Sequence, residues 1–252
     1  MRIDCPSQHH IPALRRLWQE AFGDTDVFLD SFFRTAFSPD RCRCVLDGDS
    51  VAAVLYWFDC RVKEQKLAYI YAVVTNPAFR NRGLCRSLMA DTHALLTRRG
   101  YSGTVLVPQK ESLRAMYAGM GYENIGGLQE LRCAAGGAGF ALRAIGPAEF
   151  AALRRNLLPD LSVVQEGENL LFLSEQAQFY TGQNFLLAAY GEKETLHGIE
   201  LLGDCAAAPG ILKTLGYSWG QFRMPGKERP FAMFHSLTDG AEKPEYFGFA
   251  FD

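Results

Sequence analysis

The spacing of apolar residues changes along the chain, and each spacing predicts one kind of element. Alternation with a period of two predicts strands, and recurrence every three to four residues predicts helices. The predicted strands are 1–4, 43–46, 51–58, 67–75, 104–107 and 122–133, and the predicted helices are 11–22, 26–37, 83–99 and 112–120. This order, with antiparallel strands followed by β-α-β-α-β, predicts α/β layers with a crossover around a central helix.

A run of small residues, 134–139, separates this half from the rest and is the best linker candidate. It predicts two domains, residues 1–134 and 140–252. Two short motifs recur across the linker: Ala-Leu-Arg-Arg from Ala13 recurs from Ala152, and Gly121-Tyr122 recurs as Gly216-Tyr217. The second domain is either a shortened repeat of the first or an unrelated unit, because any helix that ends at a glycine gives a similar pattern.

Composition narrows the class of protein. Of the 252 residues, 48% are hydrophobic and 21% are charged, and the formal net charge is -2. This charge gives no bulk attraction to nucleic acid or to an anionic membrane. No apolar run reaches the roughly 20 residues of a membrane span, and the first residues show no secretory signal.

Cysteine and histidine usage predicts no cross-linked or metal-bound framework. The 7 cysteines are an odd number and are scattered along the chain, which argues against a set of disulfides and favours reduced thiols in the cytosol. The 5 histidines lack the spacing of metal ligands. We therefore expect a cytoplasmic protein without a metal cofactor.

The candidate chemistry lies in residues 73–89, where a strand ends, a turn rich in arginine follows, and a helix begins near Gly83. The first turn of a helix has unpaired N–H groups and a dipole that favours negative charge. Arg80, Arg82 and Arg86 crowd this positive helix end, which is unfavourable unless an anion offsets them. The pattern therefore favours a diphosphate site over a surface helix with basic residues at its start. It lacks the Lys-Ser/Thr ending of a P-loop and the three glycines of a dinucleotide fold.

The turn Arg80-Asn81-Arg82-Gly83-Leu84-Cys85 resembles the acetyl-CoA motif of the Gcn5-related N-acetyltransferases (GNAT), Arg/Gln-x-x-Gly-x-Gly/Ala. Cys85 departs from the small final residue. The arginine-rich turn and the stretch 117–122 are similar to the enhanced-intracellular-survival (Eis-like) subgroup. The resemblance covers residues 1–133 well and the rest loosely. It implies an α/β (α+β) fold with a GNAT-type mixed sheet flanked by helices, followed by a second, smaller, degenerate GNAT-like unit.

The resemblance also implies roles for individual residues. The backbone of the strand end would pair with the pantetheine arm of acetyl-CoA, and the N–H groups of the turn would hold its pyrophosphate. The implied cofactor-binding residues are Val73, Val74, Thr75, Arg80, Asn81, Arg82, Gly83, Leu84, Cys85, Arg86 and Ser87. Tyr117 corresponds to a tyrosine that the family keeps near the thioester sulfur.

Tyr117 is the candidate general acid, because a phenol keeps its proton at neutral pH and can donate it to a departing thiolate. The alternative is a core tyrosine that packs its helix. The general base is unassigned. Tyr69 occupies the position of a glutamate in some relatives, and Lys110 that of an asparagine. The subgroup uses its C-terminal carboxylate, which would here belong to Asp252.

The sequence thus predicts an acetyl-CoA-dependent N-acetyltransferase that moves an acyl group to a primary amine by direct attack. The acceptor is a small-molecule or peptide amine. A non-catalytic acyl-CoA sensor on the same fold and a purely structural interaction protein are the alternatives. The second domain has no equivalent of the arginine turn, and we expect it to form a lid or wall of the acceptor pocket.

Overall fold

The computed structural model describes residues 1–139 and 141–251, and these form two compact units. Unit 1 comprises Met1–Glu123 together with Met233–Glu242. Unit 2 comprises Asn124–Ala232 together with the C-terminal segment that starts at Lys243. Each unit therefore contains a segment that is distant from the rest of it in sequence.

Unit 1 is a mixed sheet with helices on both faces. Its strands are β1 Arg2–Asp4, β2 Cys42–Asp47, β3 Ser50–Val62, β4 Gln65–Thr75 and β5 Gly103–Leu106, to which the second half of β13 Arg229–Ser236 is added. Its helices are α1 Ile11–Phe22, α2 Asp26–Thr35, α3 Leu84–Arg98 and α4 Glu111–Ala118. The strand order is β1-β2-β3-β4-β5-β13, and only the β4–β5 pair is parallel. The parallel pair is the crossover that the sequence predicts around α3.

Aromatic rings join the first two helices to one face of this sheet. The ring of Trp18 on α1 lies 4.6 Å from that of Phe32 on α2 and 5.2 Å from that of Tyr56 on β3, measured between centroids. All three side chains are buried. Burying each such ring removes a large apolar area from water, and offset ring pairs add to that gain. The packing of these rings, which we call the aromatic layer, therefore holds α1 and α2 against the sheet at β3.

Strand β4 is distorted in the middle of the sheet. Its pairing with β3 shifts register between Val54 and Tyr56, where β4 has one residue more than β3. Ala72, in this bulge, has a φ of 47°, a left-handed conformation that is uncommon for a residue with a side chain. Strand β4 pairs with β5 only from Leu67 to Tyr69, although β4 continues to Thr75. The pairing of the two parallel strands therefore ends before the bulge at Ala72.

Unit 2 repeats the plan of unit 1 with shorter elements. Its strands are β6 Glu123–Ala134, β7 Arg143–Ile145, β8 Val164–Gln165, β9 Gln178–Thr181, β10 Phe185–Glu192, β11 Thr195–Gly203 and β12 Trp219–Pro225, and its helices are α5 Pro147–Leu157, α6 Glu168–Ser174 and α7 Ala208–Leu215. The order β7-β9-β10-β11-β12-β6 has its parallel pair at β11–β12. This pair matches β4–β5, and α7 matches α3. The predicted second, degenerate GNAT-like unit is confirmed.

The topology changes the unit 1 counterpart of one of the two recurring motifs. Gly216-Tyr217 follows α7, the helix between the parallel strands, so its counterpart in unit 1 is Gly100-Tyr101 after α3. The local geometry agrees, because φ is 78° at Gly100 and 79° at Gly216. In both places the tyrosine N–H donates to the carbonyl five residues earlier, Leu96 or Leu212. Gly121-Tyr122 matches Gly216-Tyr217 because each pair follows a helix that ends at a glycine, although the two helices occupy different places in the fold.

The units do not divide where the small-residue run predicts, at 134 and 140. The C-terminal part of strand β6 pairs with β12, from Leu128–Pro225 to Ala134–Trp219, and β6 from Asn124 onwards belongs to unit 2. The predicted linker also bonds within that unit: the N–H of Ala135 donates to Ser218 O over 2.9 Å, and that of Gly136 to Pro209 O over 3.1 Å. Position 140 lies outside the described residues. None of the helices described in 1–139 and 141–251 is long and apolar enough to cross a membrane.

Candidate active site

The separation of β4 from β5 opens a cavity of about 580 Å³ within unit 1. The end of β4, the following turn, the first turn of α3 and one face of α4 surround it. The lining residues are Ala21, Phe22, Val73, Val74, Thr75, Phe79, Arg80, Asn81, Gly83, Leu84, Cys85, Arg86, Leu113, Met116, Tyr117 and Met120. Its volume is in the range of pockets that hold cofactors and other small ligands.

The edge of β4 between Val73 and Thr75 forms one wall. The pairing of β4 with β5 ends at Tyr69–Val105, before these three residues, and all three line the cavity. An extended ligand with amide groups can add to such an edge as a short strand. The three residues predicted to bind a pantetheine arm therefore lie at one edge of the cavity.

The turn that follows β4 is shaped by two residues with positive φ, Asn81 at 61° and Gly83 at 72°. Gly83 precedes α3 as its N-cap and provides no side-chain acceptor. The first helical bond runs from the Ser87 N–H to Gly83 O over 3.1 Å. The N–H groups of the first turn therefore have no acceptor from within the helix, and the helix dipole adds positive potential at the cavity wall.

Three arginines surround this helix end, and each is tethered to a backbone carbonyl. Arg80 Nε donates to Thr75 O over 3.3 Å, and Arg82 Nη2 donates to Ala78 O over 3.3 Å. Arg86 Nη1 donates to Gly119 O over 3.0 Å. A guanidinium has five N–H donors, so one tether leaves capacity for an anion. Arg80 and Arg86 line the cavity, whereas Arg82 and Ser87 do not.

Tyr117 lies on α4 and lines the cavity. Its side chain is buried, and its ring meets that of Tyr122 edge-on at 5.7 Å between centroids. Burial raises the pKa of the Tyr117 phenol well above its usual range, and the nearby Cys85 thiol adds to this. Burial also raises the pKa of Cys85. Tyr117 therefore keeps its proton at neutral pH and can act as a proton donor but not as a base.

The face of α4 carries cavity residues that the sequence motif did not indicate. Leu113, Met116 and Met120 line the cavity beside Tyr117. The spacing of Leu113, Met116 and Tyr117 is the signal that could have found the first two, because it places them on one face of α4, and Met120 lies in the turn just after this helix. Phe22 and Phe79 add aromatic surface from the other side.

Tyr69 and Lys110 are not among the residues that line this cavity. Tyr69 is buried in the aromatic layer, where its ring stacks on that of Phe58 at 6.0 Å. Lys110 is exposed at the N-cap of α4. Asp252, whose carboxylate the Eis-like resemblance suggests as a base, lies outside the described residues. No carboxylate or imidazole is among the described residues that line the cavity.

The donors and the shape together fit an acyl-coenzyme A. An open strand edge suits the amide groups of a pantetheine arm, and the bare helix N-terminus with Arg80 and Arg86 suits a diphosphate. An added Cβ at Gly83 would meet no protein atom within 4 Å, so the space above this residue is open to a ligand. Within the described part of the chain, no group of three or more His, Cys, Asp or Glu side chains could hold a metal ion.

Comparison with known proteins agrees with this geometry. Residues 3–125 match the family model described as acetyltransferase (GNAT) domain. No curated protein matches the sequence significantly. Among solved structures, a Gcn5-related N-acetyltransferase from Kribbella flavida has a TM-score of 0.72 at 19% identity, over 94% of this chain and 72% of the other.

Two further structures extend the likeness to both units. Eis1 from Mycobacterium abscessus has a TM-score of 0.68 at 11% identity, over 94% of this chain and 74% of its own. A tandem GNAT protein from the clavulanic acid biosynthesis pathway has a TM-score of 0.60 at 12% identity, over 95% of this chain and 99% of its own. At these identities the likeness shows a shared fold. Residues 3–125 therefore match a GNAT acetyltransferase domain, and the fold of such domains supports acyl transfer from coenzyme A.

Proposed function

We propose that this protein is an acetyl-CoA-dependent N-acetyltransferase that transfers an acyl group directly to a primary amine. One observation carries the proposal: a single cavity joins the open edge of β4, the arginine turn and a buried tyrosine. The first two features suit the cofactor arm and its diphosphate, and the third supplies a proton where the thioester would lie.

Direct transfer needs two proton movements. As the amine nitrogen attacks the thioester carbonyl carbon, the carbon–sulfur bond breaks and the thiolate departs. Tyr117, which is protonated at neutral pH, donates its phenolic proton to that thiolate, and the tyrosinate then regains a proton from solvent to close the cycle. The attacking nitrogen must lose a proton, since an alkylammonium ion has a pKa of about 10.4.

The second proton has no protein acceptor on the described cavity wall, which holds neither carboxylate nor imidazole. We propose that the amine enters as the neutral base and that water removes the remaining proton after attack. Binding and orientation by the cavity then supply much of the acceleration, because they convert an encounter in solution into a reaction between held groups.

The test is thiol release from acetyl-CoA in the presence of separate pools of arylamines, polyamines, amino acids and lysine peptides. The expected result is release that depends on one pool and on the enzyme, together with a higher melting temperature when acetyl-CoA is present. If acetyl-CoA neither stabilises the protein nor binds in calorimetry, the proposal is wrong.

The lack of a base on the described wall also favours a second candidate, a module that binds acyl-CoA and signals its presence without turnover. This candidate predicts stabilisation by acetyl-CoA with no thiol release from any amine pool between pH 7 and 10. Turnover with any pool would exclude it. The same experiment therefore separates the two functions.

A further inference from the structure

Part of the lining of the unit 1 cavity has no role in the proposed binding of the cofactor. The open edge of β4 and the arginine turn account for most of the lining, and Tyr117 is the proton donor. The remaining lining residues all have apolar side chains: Ala21, Phe22, Phe79, Leu113, Met116 and Met120. They offer surface to an apolar group and no partner to a charged one.

The wall formed by α1 is the part of this apolar surface that lies outside the turn and outside α4. Ala21 and Phe22 belong to the last turn of α1, which ends at Gly23 with a φ of 76°. The strand edge and the turn are assigned to the cofactor, and α4 carries the proton donor. The wall formed by α1 is therefore left to the acceptor.

The Phe22 ring is supported from behind by the aromatic layer. It meets the Trp18 ring edge-on at 5.7 Å between centroids. Trp18 is buried, and its indole N–H donates to Asp24 Oδ2 over 2.7 Å. A flat ring that enters the cavity can pack on Phe22 as Trp18 does, and a wall that is already fixed loses little freedom when a ligand binds.

The charges in the cavity leave no anion for an ammonium group. Arg80 and Arg86 are the charged side chains among the described lining residues, and both are cations. The diphosphate of the cofactor is matched by these two arginines and by the N-terminus of α3. Neither the described lining nor the bound cofactor therefore supplies a spare negative charge.

The titratable groups near the α1 wall do not change this balance. Glu20 and Asp24 flank Phe22 in the chain, but neither lines the cavity, and the carboxylate of Asp24 accepts the Trp18 indole N–H. Within the cavity, burial raises the pKa of the Tyr117 phenol and of the Cys85 thiol. Both of these groups are therefore uncharged at neutral pH.

This lining disfavours an alkylamine as acceptor. The conjugate acid of an alkylamine has a pKa of about 10.4, so only about one molecule in 10³ is neutral at pH 7. The ammonium form would lose its hydration without gaining an anionic partner. An arylamine is neutral at pH 7, because its nitrogen lone pair is delocalised into the ring. It therefore needs no base before it attacks.

We propose that the acceptor is an arylamine whose ring packs on Phe22. This inference rests on the proposed acetyltransferase function and narrows its primary amines to one class. As the arylamine nitrogen bonds to the carbonyl carbon, the carbon–sulfur bond breaks and the thiolate takes the proton of Tyr117. One proton on nitrogen passes to water, and the products are an N-aryl amide and coenzyme A.

The test compares 4-methylaniline with benzylamine, which are isomers that share a ring and differ in the basicity of nitrogen. Each is titrated by ligand-observed NMR into the full chain saturated with coenzyme A, which has no acyl group to transfer. At pH 7, 4-methylaniline should bind with a Kd of about 1 mM or tighter. Benzylamine should bind at least about tenfold more weakly at pH 7, and its Kd should fall about tenfold per pH unit up to about pH 9, because only its neutral form binds.

Turnover connects this binding to the reaction. With acetyl-CoA, 4-methylaniline should yield its N-acetyl product and free thiol in equal amounts. Its kcat/KM should stay constant between about pH 6.5 and 8.5, because neither the neutral arylamine nor Tyr117 titrates in that range.

Phe22→Leu removes the ring from the α1 wall and should weaken the binding of 4-methylaniline about fivefold. Phe28→Leu is the matched control, because Phe28 also packs on Trp18, at 6.2 Å between centroids, but does not line the cavity. It should leave the Kd of 4-methylaniline within about twofold of the original. The comparison of the two amines uses the unaltered protein, so it decides the question even if Phe22→Leu folds poorly.

A carboxylate placed on the same wall should reverse the preference. Phe22→Glu should bind benzylamine at pH 7 about tenfold more tightly than Phe22→Gln does, because the carboxylate pairs with the ammonium form. Glutamate and glutamine have nearly the same shape, so this difference reports the charge.

Benzylamine that binds at pH 7 as tightly as 4-methylaniline would overturn the inference and leave the proposed function intact. Equal losses in Phe22→Leu and Phe28→Leu would do the same, as would thiol release with benzylamine but not with 4-methylaniline. A protein that does not bind acetyl-CoA at all would instead overturn the proposed function, and this inference with it.

Discussion

Replacing Gly83 by alanine isolates the backbone requirement of the arginine turn. Gly83 has a φ of 72°, and an added Cβ would meet no protein atom within 4 Å. The free protein therefore experiences only the strain of a left-handed alanine, about 1 kcal/mol. For a chain of this size the melting temperature should fall by about 2–4 °C. The new methyl group lies in space that the proposal assigns to the diphosphate.

Gly100 provides a matched control at the other end of α3. Its φ is 78°, and an added Cβ there also has no neighbour within 4 Å. Gly100→Ala should thus show the same loss of stability as Gly83→Ala. It lies outside the cavity lining, so its affinity for acetyl-CoA should not change.

Ligand-induced stabilisation separates the two variants. At a concentration of 100 times Kd, acetyl-CoA should stabilise the original protein by about 2.7 kcal/mol. If Gly83→Ala binds tenfold more weakly, the same concentration gives about 1.4 kcal/mol, roughly half of the shift in melting temperature. Thermal melts with and without acetyl-CoA, supported by calorimetry, measure this. Equal ligand shifts in the two alanine variants would refute the role of the turn.

Three further predictions follow from the buried and titratable groups. Burial lowers the pKa of His93 to about 4, so only the unfolded chain takes up its proton between pH 6.5 and 4. Stability should fall by up to about 3 kcal/mol over that range in acid melts, and His93→Gln but not the exposed His9→Gln should flatten this dependence. Arg154 and Glu200 form a buried ion pair, with Nε and Oε2 2.7 Å apart, and removing one partner should destabilise the fold. Glu200→Leu should lower the free energy of unfolding by about 3–5 kcal/mol in denaturant melts, and adding Arg154→Met should restore part of that loss. With an alkylamine acceptor, kcat/KM should rise tenfold per pH unit up to about pH 10, and a plateau near pH 7 would show a protein base instead.

The sequence indicates the strand, turn and helix start at residues 73–89 because these elements are local. A strand end, a glycine and the first turn of a helix are adjacent in the chain, and their chemistry can be read without knowing the rest of the fold. The positive φ of Asn81 and the tethering of Arg86 to Gly119 were not evident. They depend on how the turn meets α4, which the sequence pattern does not specify.

The strand order of the sheet could not be predicted from local sequence patterns. Strand β13 follows the strands of unit 2 in sequence, yet Met233 to Ser236 pair with β5 of unit 1. Such pairing depends on contacts between residues that are distant in the chain, whereas periodicity reports only which face of a strand is apolar. The bulge at Ala72 could not be predicted either, because alanine does not favour the left-handed conformation that it adopts there. The position of the cavity follows from this bulge.

The cavity distinguishes Tyr117 from its neighbour Tyr122. Family resemblance singled out Tyr117, and its place on the cavity wall beside Met116 is consistent with proton donation. Packing alone would also bury a tyrosine there. Tyr122, its neighbour, is buried too and bonds with Thr104 over 2.7 Å and with His93 over 2.9 Å, yet it does not line the cavity.

The most direct test compares Tyr117→Phe with Tyr122→Phe in amine-dependent thiol release from acetyl-CoA, with the affinity for acetyl-CoA measured alongside. Tyr117→Phe should bind acetyl-CoA normally but lose about 10²- to 10⁴-fold in kcat, because it lacks only the donated proton. Tyr122→Phe should lose stability through its two hydrogen bonds and keep its turnover. Unchanged turnover in Tyr117→Phe, with the original protein active, would contradict the account.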